Sequence, residues 1–279
     1  MMNHKLSALY GLKYNPFIPE VPTEALYSHT KLQNFCWRIE HSFIREGGFA
    51  MITGEPGTGK SVALRLLAAN LSKLRDVQVG ALTHPSANLA DFYRELGDIF
   101  SVPLSAHNRW CGFKNLRERW LNYLSTTLVR PILFIDEAQE MPVCTLNELR
   151  LLTSTQFDSR MLLSVVFAGD QRLSDKLRRD ELIPLGSRIR VRYNTEHAGK
   201  DQLLDCLRHL LATAGNAALM TQELMDLLCD HAIGNYRILC TLCAELLAEA
   251  VKQERAQLDE KLYFECFATP EPAVKRRKS

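Results

Sequence analysis

The chain has 279 residues, enough for one large α/β domain and a smaller companion, and its 46% hydrophobic and 24% charged residues are ordinary for a globular protein. A net charge of +2 argues neither for nor against a nucleic-acid partner, because a local patch would be hidden in a near-neutral total. No apolar run approaches the ~18 residues of a membrane helix, and the N-terminus lacks an apolar signal core; together these exclude a membrane protein and lead us to expect a cytoplasmic chain whose 8 cysteines are reduced.

Taken in order, residues 1–30 read as an N-terminal arm. Tyr10-Gly11-Leu12-Lys13-Tyr14-Asn15-Pro16-Phe17, followed by more prolines and Tyr27, is too rich in Pro and aromatics for a regular helix, so an irregular arm packed on the core is expected. Leu32 to Glu46 has an amphipathic helical pattern that Gly47-Gly48 ends. Phe49 to Thr53 is a short apolar strand, and it leads into Gly54-Glu55-Pro56-Gly57-Thr58-Gly59-Lys60-Ser61.

That stretch fits G-x-x-x-x-G-K-[ST], the loop that cradles nucleotide phosphates. Its glycines let backbone N–H groups approach phosphate oxygens, Lys60 reaches the β- and γ-phosphates, and Ser61 offers a hydroxyl to Mg²⁺. Val62 opens the helical pattern that runs to Leu67 and turns its positive end to the anion. ATP with Mg²⁺ is the expected ligand pair, and Pro16 and Phe17 of the arm are candidates to line the adenine pocket.

Val77 to Leu82 is a second strand and Leu89 to Phe100 a helix, with Ser86-Ala87-Asn88 as cap candidates; His84, between them, reads as structural. Ser105 to Trp110 is loop-like and Phe113 to Leu128 helical. This region gathers Arg109, Lys114, Arg117 and Arg119 beside Trp110 and Trp120, a mixture that can grip a nucleic-acid backbone or simply form a solvated face.

Pro131 to Ile135 is an apolar run ending in Asp136-Glu137, a strand buried on both faces with acids at its carboxyl end, where doubly wound sheets gather their ligands. Asp136 suits the magnesium shell and Glu137 the attacking water. Met161 to Gly169 is a fourth strand ending at Asp170-Gln171, Arg172 to Glu181 a short basic helix, and Leu182 to Tyr193 closes with a fifth strand. Strands alternating with helices imply a parallel sheet covered on both faces. Residues 199–214, 221–231, 235–253 and 258–267 are helical with no further strand. Cys240-x-x-Cys243 lies inside one of these helices with no second pair at zinc spacing, which argues against a metal site. Pro270-Glu271-Pro272 then precedes the basic tail Lys275-Arg276-Arg277-Lys278, expected to be disordered.

In combination these residues resemble the AAA+ ATPases, and Tyr10-Gly11-Leu12-x-x-Asn15-Pro16-Phe17, Asp136-Glu137-Ala138-Gln139, Leu149-Arg150-x-Leu152, Ala168-Gly169 and Gly234-Asn235-Tyr236-Arg237 resemble the ExeA/TniB/MuB/TnsC-like group. The resemblance implies an α/β AAA+ P-loop domain with a parallel five-stranded sheet over residues 31–195, a helical lid over 196–268 and a tail over 269–279. It implies that Lys60 and Ser61 are the Walker A pair, Asp136 and Glu137 the Walker B pair, and Arg237 the lid arginine that senses nucleotide. Arg188 is then the arginine finger that reaches a neighbour's γ-phosphate, with Arg190 and Arg192 as rivals, and the sensor at the fourth strand's end is Asp170 or Gln171.

Two biological roles follow from the resemblance. The first is a transposition helper that oligomerises with ATP on duplex DNA, without sequence preference, as a ring or a filament with about six subunits per turn; it would recruit a transposase and a target-selection adaptor. The second is a secretion-associated ATPase, which usually adds a membrane span and a periplasmic region; their absence here tilts the expectation towards transposition. An ATP-switched protein adaptor such as a helicase loader is a third.

Overall fold

The structure, a computed structural model, describes residues 2–104 and 109–267. The basic tail and residues 105–108 of the expected loop lie outside the described residues. Ser28–Glu196 makes one compact unit, and the described parts of Met1–Tyr27 and His197–Ser279 make another.

The chain starts with a helix, α1 (Met2–Tyr10), where an irregular arm was expected. The first proline comes only at Pro16, and Leu6 and Tyr10, four residues apart, bury one face. After Gly11 (φ +68) the chain is irregular, and Leu12 and Phe17 pack into the core of the helical unit. In the α/β unit, α2 (Thr30–Arg38) passes through a π-helical turn at Ile39–Phe43 into α3 (Ile44–Glu46). Then follow β1 (Gly48–Gly54), α4 (Lys60–Leu71), β2 (Val77–Leu82), α5 (Leu89–Phe100) and α6 (Arg109–Asn122). Asn88 caps α5 as its position suggested, its side chain accepting from Ala90 N and Asp91 N.

Next come β3 (Arg130–Ile135), α7 (Val143–Leu152), a small antiparallel hairpin of β4 (Ser154–Thr155) and β5 (Arg160–Met161), and β6 (Ser164–Gly169). The fourth large strand is therefore shorter than Met161 to Gly169, because Met161 belongs to the hairpin. The unit ends with α8 (Gln171–Leu177), α9 (Ile183–Gly186) and β7 (Ile189–Thr195). The helical unit continues with α10 (Lys200–Ala214), α11 (Gln222–Ala232), α12 (Tyr236–Lys252) and α13 (Glu260–Phe267).

The main sheet is wholly parallel, in the order β2-β3-β6-β1-β7. Alternation divides its side chains between two cores: Phe49, Met51, Leu133, Ile135, Val165 and Phe167 face one cluster, while Ala50, Ile52, Ile132, Phe134, Val166 and Ala168 face the other. Register matches Thr53 with Gly169, Ile135 with Phe167 and Gly54 with Thr195, so β1, β3, β6 and β7 end along one edge. The crevice outside the carboxyl ends of the strands is where such sheets hold ligands.

Candidate nucleotide site

Gly54 to Ser61 connects β1 to α4 at that edge. A Cβ on Gly54 would lie 1.9 Å from Thr195 Oγ1 and 2.4 Å from Thr195 O, so no larger residue fits where the loop leaves the sheet. Gly57 (φ +83) and Gly59 (φ +101) take left-handed conformations, which glycine adopts without strain and which anion-binding loops use to gather successive N–H groups. Thr58 Oγ1 lies 2.7 Å from Glu55 O and 2.6 Å from Thr195 Oγ1, which is 3.1 Å from Thr53 O, so the two hydroxyls share their two protons along this chain of acceptors. The loop is thus fixed to β7 before any ligand arrives. Lys60 is 7% exposed, and its Nζ donates to Gly54 O and Glu55 O, both at 3.0 Å. A buried ammonium held by neutral carbonyls is a cation prepared for an anion.

Ser61 Oγ donates to Asp136 Oδ2 at 2.7 Å, which joins the start of α4 to the end of β3. These are hard oxygen donors of the kind Mg²⁺ takes together with phosphates and waters. No group of three or more His, Cys, Asp or Glu suited to a metal occurs among the described residues, so a metal at Ser61 and Asp136 would draw its other ligands from phosphate and water. Asp136 Oδ1 accepts the Glu137 N–H (2.9 Å), and Glu137 is exposed in a left-handed conformation (φ +50). Its carboxylate accepts from Gln139 Nε2. Val62, Glu55 and Pro56 belong to the same loop and helix start.

The remaining candidates are distributed otherwise. Asp170 carries no open carboxylate: Oδ1 accepts from Arg172 N (2.9 Å) and Oδ2 from Arg172 Nε (2.8 Å), so it caps α8, and Arg172 also pairs with Glu140 (3.0 Å). The charge that would repel phosphate is neutralised by Arg172, and Gln171 begins α8. The polar side chain at the junction of the β3 and β6 ends is Gln139, which the sequence reading quoted within a motif without giving it a role.

Arg188 pairs with Asp158 of the β4–β5 turn and donates to Pro184 O; Arg190 pairs with Glu46 (3.4 Å), and Arg192 donates to Gly186 O (3.2 Å). Pro16 and Phe17 are buried in the helical unit, where Phe17 joins its core. Arg237 is exposed in the first turn of α12, where Asn235 Oδ1 caps its N–H at 3.0 Å; Gly234 (φ +77) is required because a Cβ there would meet Ala198 O at 2.8 Å.

The four cations proposed for DNA all have partners in the chain. Arg109 pairs with Glu148, which is 4% exposed and also accepts from Tyr93. Burial and that hydrogen bond push the Tyr93 hydroxyl's pKa far up. Arg117 donates to Leu151 O (2.8 Å) and Ser154 O and lies over the Phe113 ring, Lys114 pairs with Glu118 (3.7 Å), and Arg119 lies over Tyr123. Elsewhere, burial pushes the thiol of Cys240 up to about 11 and that of Cys243 well above the ordinary range, so neither is poised as a ligand or nucleophile.

The parallel sheet of order β2-β3-β6-β1-β7, with a phosphate loop after β1, acids after β3 and a separate helical unit, is the AAA+ P-loop fold. Residues 44–177 match the family model described as "AAA domain". The chain is 28% identical over 242 residues to General secretion pathway protein A of Aeromonas hydrophila, an alignment that takes in 80% of this chain and 43% of that protein. It therefore spans less than half of that relative's length. Among solved structures, Aeropyrum pernix ORC2 in its ADPNP–ADP complexes superposes with a TM-score of 0.72 at 14% identity, over 90% of this chain and 70% of the other. Aeropyrum pernix ORC1 in complex with DNA gives 0.67 at 16% identity, over 90% and 67%. These two likenesses speak to the fold. No helix among the described residues is long and apolar enough to cross a membrane.

Proposed function

We propose that this protein is a Mg²⁺-dependent ATPase of the secretion type, working as an ATP-switched oligomer on a protein machine. The observation that carries the chemistry is the convergence of Lys60, Ser61, Asp136 and Glu137 on one edge of the sheet. Lys60 gives up its carbonyl contacts to neutralise phosphate oxygens, and the loop's backbone N–H groups hold the rest of the triphosphate. Ser61 and Asp136 would hold Mg²⁺, which would supply charge screening for the phosphates. Glu137 orients a water for in-line attack on the γ-phosphorus and accepts its proton, releasing ADP and phosphate. Arg188 is the finger offered to a neighbouring subunit once it leaves Asp158, and Arg237 is the lid residue that senses nucleotide.

The similarity to General secretion pathway protein A favours a secretion role over transposition. A missing membrane span no longer weighs against it, because this chain covers only 43% of that relative. The intrachain partners of Arg109, Lys114, Arg117 and Arg119 also weaken the case for a DNA-gripping patch. Under the competing reading the same ATPase would assemble in the cytoplasm on duplex DNA and recruit a transposase and a target-selection adaptor. Binding to random duplex DNA, with ATP and Glu137→Gln to hold the assembled state, tests the choice. The secretion reading expects no ATP-dependent, salt-sensitive binding; such binding with large assemblies by sedimentation would restore transposition.

A further inference from the structure

Gln139 is 6% exposed in the short 3-10 turn Ala138–Glu140, and the two ends of its amide are assigned by their partners. The backbone N–H of Asp170 can only donate, so the group 3.3 Å from it is the amide oxygen Oε1. That leaves Nε2 to donate to Glu137 Oε2. The space for the amide comes from Gly169, where a Cβ would lie 2.6 Å from Gln139 Oε1. From the other side Lys176 Nζ donates to the backbone oxygens of Gln139 (2.8 Å) and Met141 (2.5 Å), so the turn bearing the amide is tied to α8.

Glu137 needs such a hold. It is exposed and stands in a left-handed conformation that costs a non-glycine residue roughly 1–2 kcal/mol, and a flexible carboxylate there would spend its time in several rotamers. We propose that Gln139 is a positioning residue for hydrolysis. Its Nε2–H occupies Glu137 Oε2 and leaves Oε1 for the attacking water, while its own Oε1 references that carboxylate to the end of β6. The partners of the amide are Glu137 and the Asp170 N–H, so its assigned role is in turnover and not in nucleotide affinity. The inference rests on the reading of Glu137 as the base.

The test is steady-state ATP turnover with Mg²⁺, together with binding of a non-hydrolysable ATP analogue, for wild type, E137Q, Q139A and Q139E. Both Gln139 variants are expected to lose about 10- to 100-fold in kcat, with KM and analogue affinity close to wild type. Q139E separates positioning from structure. Its ionised carboxylate still accepts from the Asp170 N–H, but it offers no donor to Glu137 and adds a second charge beside it, so a positioning role is read as lost kcat with fold and analogue binding kept, in Q139A as in Q139E. Wild-type kcat in Q139E, or parallel losses of kcat and analogue binding in both variants, would overturn the proposal while E137Q remains inactive. Undiminished hydrolysis in E137Q would instead sink the ATPase reading and this inference together.

Discussion

The phosphate loop and helix α6 both carry cations and end up with opposite chemistry, because those cations meet different partners. In α6 the protein satisfies its own charges: Arg109 is matched by the buried Glu148 and Lys114 by Glu118. At the loop, Lys60 is 7% exposed yet held only by carbonyls of the loop itself, and Glu137 is exposed at the strand edge in a left-handed conformation. A cation beside aromatics is therefore a weak sign of a binding surface. A buried cation facing neutral acceptors is a strong one, because its desolvation is offset only when an anion binds.

The comparison can be broken most violently at the loop. Lys60→Ala is expected to weaken ATP binding on the order of 10²- to 10³-fold by calorimetry while the fold stays intact. Equal affinity would mean that the ammonium does not face the ligand. Gly54→Ala places a Cβ 1.9 Å from Thr195 Oγ1, and a stability loss of about 3 kcal/mol in denaturant unfolding is expected as the loop is pushed off β7. On the other side of the comparison, Arg109→Ala leaves Glu148 buried with Tyr93 as its remaining partner among the described residues. It should destabilise the α/β unit by roughly 1–3 kcal/mol and leave ATP affinity unchanged. If it instead weakens DNA binding at constant stability, α6 is a binding surface after all.

The smallest effect concerns Arg188 and its partner. Asp158 has its pKa lowered, first by the hydrogen bond from Ser154 and then by that from Arg188. A depressed carboxylate contributes stability that is present above its unfolded pKa and is lost only as pH falls through the lower folded value. The clasp should thus hold from neutral pH down to the bottom of the ordinary carboxylate range. Asp158→Asn should cost less than about 1 kcal/mol at pH 7, since the pair is partly exposed, and the cost should shrink as the pH drops below about 4. A cost that persists at low pH would assign the contact to shape and not charge.

Much of this was legible in the chain itself. The phosphate loop, the apolar run into Asp136-Glu137 and the strand–helix alternation are local patterns, and local patterns survive translation into structure. What escaped depends on distance. Helix α1 was hidden by reading the prolines after Pro16 back over Met2–Tyr10, although the Leu6–Tyr10 spacing announces it. The β4–β5 hairpin has two-residue strands, too short for alternation to register, around three consecutive left-handed residues, Gln156, Phe157 and Asp158. Asp170's cap was readable from its place just before a helix, but its neutralisation by Arg172 was not. Gln139 gave no signal beyond following two acids; only the pairing of β3 with β6 brings it to Asp170.

On the proposed function, the open charges at the sheet edge carry out ATP hydrolysis. The most direct measurement is phosphate release from ATP with Mg²⁺ by wild type and Glu137→Gln at matched nucleotide occupancy. Turnover by the wild type is expected, with a fall of about 10²- to 10⁴-fold in the variant while ATP stays bound. Equal rates in the two proteins, or a variant that loses turnover only because it no longer binds ATP, would contradict it.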